Sequence, residues 1–187
     1  MTAVEGVFLS TKGDIYIISN RQILRLMRII GDGNCGYRAI LAGLTGDQER
    51  HLQLRQEACA SVSNIKAILG EGPIGVEKGN DYEFLDPIAF MDMMRTPHVW
   101  IEHNALKVIA VTLNLNIHVV YVNNMLGKVA MVHGRDDKAM PVYIAYNGNH
   151  YDAFVPQKKI TFEDLMSRVS VITDCAQTDL YRIYDWR

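Results

Sequence analysis

Cysteine is scarce in this chain, with three residues among 187. The three form no Cys-x-x-Cys pair and no regular spacing, which excludes a disulfide framework and a cysteine-based zinc site. A reducing compartment fits this pattern. We therefore expect the protein to work in the cytoplasm or a similar setting.

Long apolar runs and a strong net charge are also missing. No stretch approaches the roughly 20 apolar residues of a membrane-spanning helix, and the amino end lacks the pattern of a signal peptide. The formal net charge is -2, from 19 basic and 21 acidic residues. Electrostatics therefore gives no reason to expect nucleic acid or a membrane as a partner. A hydrophobic fraction of 49% is that of an ordinary globular protein, and the length predicts one domain.

The most informative stretch is residues 29–41, where an apolar run meets a glycine-rich turn and then a helical pattern. The pattern predicts a helix that begins at Cys35. The first amide N–H groups of a helix lack internal partners and carry partial positive charge, so we expect the pKa of this thiol to fall. The free amides of Asp32, Gly33 and Cys35 can also point at an oxyanion formed when sulfur attacks a carbonyl.

Two other interpretations of this stretch stay open. Gly31-x-Gly33-x-x-Gly36 has the spacing of a dinucleotide-binding loop. Against it, Asp32 would bring negative charge to a pyrophosphate, and the chain about 20 residues further on is predicted to be helical rather than a strand ending in a ribose-binding acid. The other interpretation is that Cys35 is a buried small apolar residue, the usual fate of a free cysteine.

A second informative piece lies at residues 142–155, which predict a β-hairpin with Asn147-Gly148 at its turn. Alternate side chains of a strand share a face, so we expect His150 and Asp152 on one face with Cα atoms roughly 6.5 Å apart. The carboxylate then holds the far ring nitrogen while the near one takes a thiol proton. With Cys35, the pair forms a nucleophile, a base and an orienting acid.

The remaining elements are predicted from periodicity and turn residues. We expect a hairpin over residues 7–18, a helix or a strand over 20–30, a helix over 50–69, a mobile loop over 71–81, helices over 84–94 and 105–113, a strand over 117–122 and a helix after residue 161.

Three stretches of the chain together resemble one known family, the OTU (ovarian tumour) cysteine proteases. Residues 31–39, Gly-Asp-Gly-Asn-Cys-Gly-Tyr-Arg-Ala, are similar to the family's Asp-Gly-Asn-Cys signature. Residues 149–152, Asn-His-Tyr-Asp, are similar to its histidine motif, and residues 90–100 to its central tryptophan segment. The resemblance covers about residues 30 to 156, and the chain also looks like the OTU domains of viruses and intracellular bacteria.

The resemblance implies an α+β fold of the papain-like, OTU type, with a central, mostly antiparallel β-sheet flanked by helices. It implies one catalytic domain over residues 1–187, with a core of about 7–156, an N-terminal hairpin and a C-terminal helical extension over 157–187. The implied activity is that of a deubiquitinase, a thiol hydrolase that cleaves isopeptide bonds after the C-terminal glycine of ubiquitin or a ubiquitin-like modifier. Its partners are ubiquitin or polyubiquitin chains, with no metal or cofactor, in the cytoplasm or, for a viral or bacterial effector, the host cytosol.

Position by position, the resemblance implies roles for individual residues. Cys35 is the nucleophile, His150 the general base and Asp152 the orienting acid. Asp32 lies in the loop that forms the oxyanion hole, with the backbone amides of Gly33 and Cys35.

The resemblance also implies candidates for the wall of the substrate groove, which are Asn34, Trp100, Asn149 and Tyr151. Two departures from the family pattern fall beside this wall. Ile101 stands where the family usually has glycine, and Ala105 stands where it usually has glutamate. Neither touches the three catalytic candidates.

The alternative from another functional class is a ubiquitin-binding module with a silent site. The complete set of nucleophile, base and acid argues against it, because a module that only binds has no physical need to keep all three groups. A dinucleotide-binding domain is the less favoured third candidate.

Overall fold

The computed structural model describes residues 4–9, 14–19, 21–78, 81–123, 128–169 and 181–185. The strands are β1 (Val4–Leu9), β2 (Ile15–Ser19), β3 (Gln22–Met27), β4 (Ile74–Lys78), β5 (Asp81–Leu85), β6 (Leu115–Tyr121), β7 (Lys128–Val132), β8 (Met140–Tyr146), β9 (Tyr151–Val155) and β10 (Tyr181–Asp185). The helices are α1 (Cys35–Thr45), α2 (His51–Ala60), α3 (Lys66–Leu69), α4 (Pro87–Arg95), α5 (His103–Leu113) and α6 (Phe162–Met166).

One eight-stranded sheet, in the order β1-β2-β3-β9-β8-β6-β7-β10, organises the fold. Its neighbouring strands are antiparallel, apart from the parallel pair of β6 and β8. Strands β4 and β5 form a separate two-stranded hairpin. The α+β class and the mostly antiparallel sheet implied by the sequence are confirmed.

Helix α1 lies in the interior, against β8, β9 and α2. Its residues from Cys35 to Leu44 are all buried, and the one charged residue among them, Arg38, is paired with Asp32. It begins at the cysteine, as predicted, and ends at Gly46, whose left-handed backbone lets its N–H bond to the Ala42 carbonyl. None of the helices in the described ranges is long and apolar enough to cross a membrane.

The open choice over residues 20–30 is decided by the sheet. This stretch forms β3, because its backbone pairs with β2 on one side and with β9 on the other. The predicted N-terminal hairpin is confirmed by the pairing of β1 with β2. The turn of this hairpin is predicted at residues 11–14, of which residues 11–13 lie outside the described ranges.

Two predictions for the middle of the chain are wrong. The single helix expected over residues 50–69 is divided into α2 and α3, because the Ser61 hydroxyl bonds to the Ala58 carbonyl at the end of α2, a local contact that competes with helix continuation. The mobile loop expected over residues 71–81 is largely the β4–β5 hairpin. The prediction failed because the three glycines and Pro73 of this stretch are typical of a loop, whereas its backbone pairs with residues 81–85 in the folded chain.

Two boundaries also differ from the predictions. The helix expected over residues 84–94 begins at Pro87, with the Asp86 carboxylate accepting the N–H groups of residues 88 and 89. Within residues 157–169 of the C-terminal extension, the helix is α6, which begins with the capping box of Thr161 and Asp164. Further on, β10 pairs with β7 at the edge of the sheet.

The amino end of α1 is packed tightly against the chain that precedes α5. A Cβ atom added to Gly36 would overlap the side chain of Ile101. Ile101 is buried, and so fills the space that the glycine leaves open. The residue that departs from the family pattern is therefore part of the core.

This packing predicts the effect of adding one methyl group. Gly36→Ala should lower the free energy of unfolding by about 1–3 kcal/mol, because an overpacked core forces its neighbours to shift. Ile101→Ala in the same chain should recover part of the loss. Denaturant unfolding measures both. The control is Gly72→Ala, since nothing lies within 4 Å of a Cβ atom there; equal losses at both glycines would contradict the packing argument.

Candidate active site

Cys35 is the first residue of α1 and is only 2% exposed. Burial raises the pKa of its thiol above the ordinary value, while the Tyr151 N–H, the Trp100 side chain and the Gly36 N–H act in the opposite direction. The expectation of a lowered pKa is therefore wrong for this conformation. Desolvation of the thiolate outweighs the N–H groups that stabilise it.

The Trp100 indole N–H is the side-chain group that most stabilises the Cys35 thiolate. It lowers the pKa of Cys35, yet it is buried and makes no hydrogen bond of regular geometry within the described chain. Its contribution is therefore that of a dipole facing the sulfur rather than of a formed bond. The indole ring itself stacks on Tyr151, with ring centroids 5.5 Å apart.

His150 and Asp152 meet as the sequence predicts, although His150 precedes β9 rather than lying within it. Nε2 of the imidazole is 3.3 Å from Oδ1 of the carboxylate. Asp152 is 4% exposed and also accepts hydrogen bonds from the Ile29 N–H at 2.8 Å and from Arg28 Nη1 at 2.7 Å. Both carboxylate oxygens are thus engaged, which holds the acid in one orientation toward the ring.

The thiol and the imidazole lie on neighbouring parts of the site without a formed bond. The backbone N–H of Tyr151, the residue after His150, lowers the pKa of Cys35. The imidazole of His150 makes its hydrogen bond from Nε2 to Asp152, and the His150 backbone bonds to Asn147 through both its N–H and its carbonyl. Catalytic hydrogen bonds are often long or misaligned before substrate binds, so this geometry is compatible with a thiol and imidazole that act together.

The loop before Cys35 is held by charge and by backbone shape. Asp32 forms an ion pair with Arg38 at 2.8 Å, and this guanidinium holds the pKa of the carboxyl well below its usual range. Gly33 has a φ of +81°, and a Cβ atom there would overlap the His98 carbonyl. Only glycine fits this position.

His98 orients one peptide of this loop. Its Nδ1 is 2.8 Å from the Asp32 carbonyl oxygen, and since a carbonyl only accepts, Nδ1–H is the donor. The Asn34 Nδ2, at 3.1 Å from the same nitrogen, is then a contact and not a hydrogen bond. Carbonyl and N–H point in opposite directions across a trans peptide, so the Gly33 N–H is turned away from His98.

Asn34 lies inside the protein rather than on an open wall. Its side chain is buried, with the residue 1% exposed. Oδ1 accepts hydrogen bonds from the His98 N–H at 2.9 Å and from Arg55 Nη2 at 3.1 Å. Through these contacts, Asn34 joins the loop before α1 to the chain before α5.

Arg55 takes part in the same connection between the two segments, and sequence reasoning missed it. Its guanidinium lies 4.1 Å from the centre of the Tyr37 ring, and it donates hydrogen bonds to the backbone carbonyls of Met94, Thr96 and Val99. Arginine in a helix is normally exposed, and nothing in the local pattern of α2 marks this one as buried. His98 and Arg28 were also missed, because their hydrogen-bond partners are distant in sequence.

The other groove candidates divide between the interior and the surface. Tyr151 is buried beside the thiol, Trp100 is half-buried and Asn149 is exposed in the β8–β9 turn. Ala105 is fully buried in α5, and the acid near this position is Glu102, whose carboxylate accepts the Asn104 N–H at the start of the helix. At the two departures from the family pattern, Ile101 packs in the core and Ala105 is buried in a helix that Glu102 caps.

The glycine-rich loop has no room for a dinucleotide. The space beside Gly33 belongs to the His98 carbonyl, and the space beside Gly36 belongs to Ile101. A carbonyl oxygen in that position would repel a phosphate. Across the described ranges, no group of histidine, cysteine and carboxylate side chains is arranged to hold a metal ion.

Residues 30–152 match the sequence model of the family described as OTU-like cysteine protease. The chain belongs to this family. The matched region runs from the loop before the cysteine through the aspartate of the histidine motif, and so contains all three catalytic candidates.

Solved structures of OTU domains share the fold. The OTUD1 OTU domain is 24% identical, with 69% of this chain and 83% of that chain covered and a TM-score of 0.52. The viral OTU protease from Taggert virus is 14% identical, with 92% and 99% covered and a TM-score of 0.54. An OTU deubiquitinase from Wolbachia pipientis wMel, solved bound to ubiquitin, is 15% identical, with 73% and 98% covered and a TM-score of 0.51. No curated protein sequence matches the chain.

The contact between Trp100 and the thiol predicts a change in thiol reactivity. Trp100→Phe keeps an aromatic ring but removes the indole N–H, so the pKa of Cys35 should rise. Alkylation by iodoacetamide as a function of pH, followed by mass spectrometry of the Cys35 peptide, measures the shift. Tyr121→Phe is the matched control. An unchanged midpoint in the tryptophan variant would show that the indole N–H does not act on the sulfur.

Proposed function

We propose that this OTU-family protein is a deubiquitinase, hydrolysing the isopeptide bond after the C-terminal glycine of ubiquitin or a ubiquitin-like modifier. The observation that carries the proposal is the buried Asp152 carboxylate against His150 Nε2 at 3.3 Å, next to a helix-start cysteine. Ubiquitin as the partner is supported by related folds: an OTU domain solved in complex with ubiquitin is 17% identical, with 88% of each chain covered and a TM-score of 0.53.

In the proposed reaction His150 is first a base and then an acid. Its Nδ1 takes the proton of the Cys35 thiol while sulfur forms a bond to the carbonyl carbon of the scissile amide. The N–H groups of Gly33 and Cys35 stabilise the resulting oxyanion. The imidazolium then gives its proton to the departing lysine amine, leaving a thioester. Water, deprotonated by the same ring, attacks the thioester, releasing the carboxylate and restoring the thiol.

The thiol is buried, and the Trp100 side chain acts on it. We therefore expect the side chains around Cys35 to rearrange when a substrate carbonyl reaches the sulfur. Because burial raises the pKa of Cys35, the thiol is protonated at neutral pH until a base removes its proton. Cys35 and Cys59 are free thiols, as a reducing compartment such as the cytoplasm maintains.

A silent ubiquitin-binding module is the second candidate. The observation that favours it is the buried thiol without a hydrogen bond to His150, since a module that only binds needs no accessible sulfur. The two candidates differ in one measurable property. A module binds ubiquitin equally well after its thiols are alkylated and forms no covalent product.

Covalent capture tests the role of the nucleophile. A ubiquitin carrying a C-terminal electrophile should form an adduct with the protein, and Cys35→Ala should abolish it, because no other group in the site replaces a thiolate. Cys59→Ala is the matched control, since Cys59 is equally buried. An adduct with Cys35→Ala, or ubiquitin binding without any adduct in the parent chain, would refute the hydrolase.

Substitutions at Asp152 test the orienting acid. Asp152→Asn keeps an oxygen that can accept from the ring, as in Cys-His-Asn proteases, so hydrolysis of a fluorogenic ubiquitin amide should stay within about tenfold of the parent. Asp152→Ala removes the acceptor and should cost at least about 100-fold. Equal losses in both variants would count against an orienting role. Thermal unfolding checks that both variants fold, because Asp152 also binds the Ile29 N–H.

A further inference from the structure

A cleft of about 320 Å³ opens beside the candidate active site. Two of its lining residues, Trp100 and Tyr151, also act on the Cys35 thiol, Trp100 through its side chain and Tyr151 through its backbone N–H. A side chain of a bound polypeptide that enters the cleft therefore belongs to a residue close in sequence to the bond that lies at the sulfur. The rest of the lining comes from β4, β5, α5, β6 and β8.

One wall of the cleft is a continuous set of aromatic rings. Trp100 stacks on Tyr151, Tyr151 packs on Tyr146 with centroids 4.9 Å apart, and Tyr146 meets Tyr121 edge to face at 5.9 Å. The faces of aromatic rings carry partial negative charge and attract cations within about 6 Å of the centroid. Tyr82 extends this wall from the β4–β5 hairpin.

The charged side chains of the cleft are acidic. Glu102 is 6% exposed, and burial raises its pKa to about 7, with the neighbouring Glu77 adding to the rise. Burial lowers the pKa of His103 to about 4, and Lys107 adds to this, so the imidazole is neutral at pH 7. No lysine or arginine is among the described residues that line the cleft. A buried carboxylate without a nearby cation is costly in free energy, and a bound cation would relieve this cost.

We propose that this cleft binds a cationic side chain, a lysine ammonium or an arginine guanidinium, of the polypeptide whose bond is held at Cys35. This inference rests on the proposed function for the origin of the polypeptide, but the binding itself does not require hydrolysis. The aromatic wall attracts the cation and covers the aliphatic stem of its side chain. The Glu102 carboxylate supplies the charge. A neutral apolar side chain of the same length gains only the contact with the rings.

Direct binding of small probes tests the cleft. The probes are Nα-acetyl-lysine methylamide, Nα-acetyl-arginine methylamide and, as the neutral counterpart, Nα-acetyl-norleucine methylamide. Trp100 fluorescence reports binding in a Trp186→Phe chain, because the sequence contains two tryptophans. A saturable change with at least one of the two cationic probes and not with norleucine is expected. Equal binding of norleucine and the better cation would overturn the proposal.

Glu102→Gln is the decisive variant, because the amide can still accept the Asn104 N–H at the start of α5. It should weaken binding of the cation about tenfold. Glu83→Gln is the matched control, since Glu83 pairs with Lys78 on the hairpin and does not line the cleft. An unchanged affinity in Glu102→Gln would overturn the proposal. Thermal unfolding confirms that both variants are folded.

The pH dependence of binding gives a second readout. Glu102 is neutral below a pKa of about 7 and anionic above it, so affinity for the cation should rise between pH 6 and pH 8. The other titratable groups that face the cleft are Glu77, His103 and the four tyrosines, with Lys107 near His103. Glu102→Gln should flatten the rise. A slope that persists in this variant would assign the effect to another group and contradict the role of Glu102.

The source of the cation is distinguished by two substrates. If the side chain belongs to the modifier, Glu102→Gln should raise KM for a fluorogenic ubiquitin amide, which has no acceptor protein. If it belongs to the acceptor, KM should rise only for an isopeptide-linked diubiquitin. An unchanged KM for both would overturn the proposal. Selective binding of the cationic probes by a chain that hydrolyses neither substrate would support the cleft and refute the proposed function.

Discussion

The packing of residues 97–101 onto the amino end of α1 is the contact on which the rest of the site depends. Asn34 and Arg55 join the two parts through buried hydrogen bonds, and Ile101 fills the space left by Gly36. Buried polar groups of this kind are costly to leave unpaired. The loop before α1 and the Cys35 thiol are therefore held by one shared network of contacts rather than by the loop alone.

The same packing sets the pKa of the Cys35 thiol. It shields Cys35 from water and so raises the pKa of the thiol, while the amides at the start of the helix and the indole of Trp100 act against this effect. Trp100 also lines the acidic cleft. The same side chain therefore belongs both to the surroundings of the thiol and to the wall of the cleft.

Sequence reasoning succeeded where the signal was local. The helix that begins at Cys35 and the hairpin around Asn147-Gly148 depend on glycine positions and short-range backbone geometry, and both are present. It failed for the β4–β5 hairpin, because the glycines and Pro73 near β4 are typical of a loop, and the strand pairing is visible only in the structure. It also failed for α2 and α3, where apolar periodicity ran on through a turn.

The sequence by itself determined the family, the fold class and the residues proposed as nucleophile, base and acid, because these are carried by compact motifs of a few neighbouring residues. Only the tertiary structure decided the raised pKa of Cys35, the burial of Asn34 and the partners of Arg55. The physical reason is that desolvation and buried hydrogen bonds depend on atoms brought from distant parts of the chain. The acidic cleft is of this kind too, since its walls come from six separate elements and meet only in the folded protein.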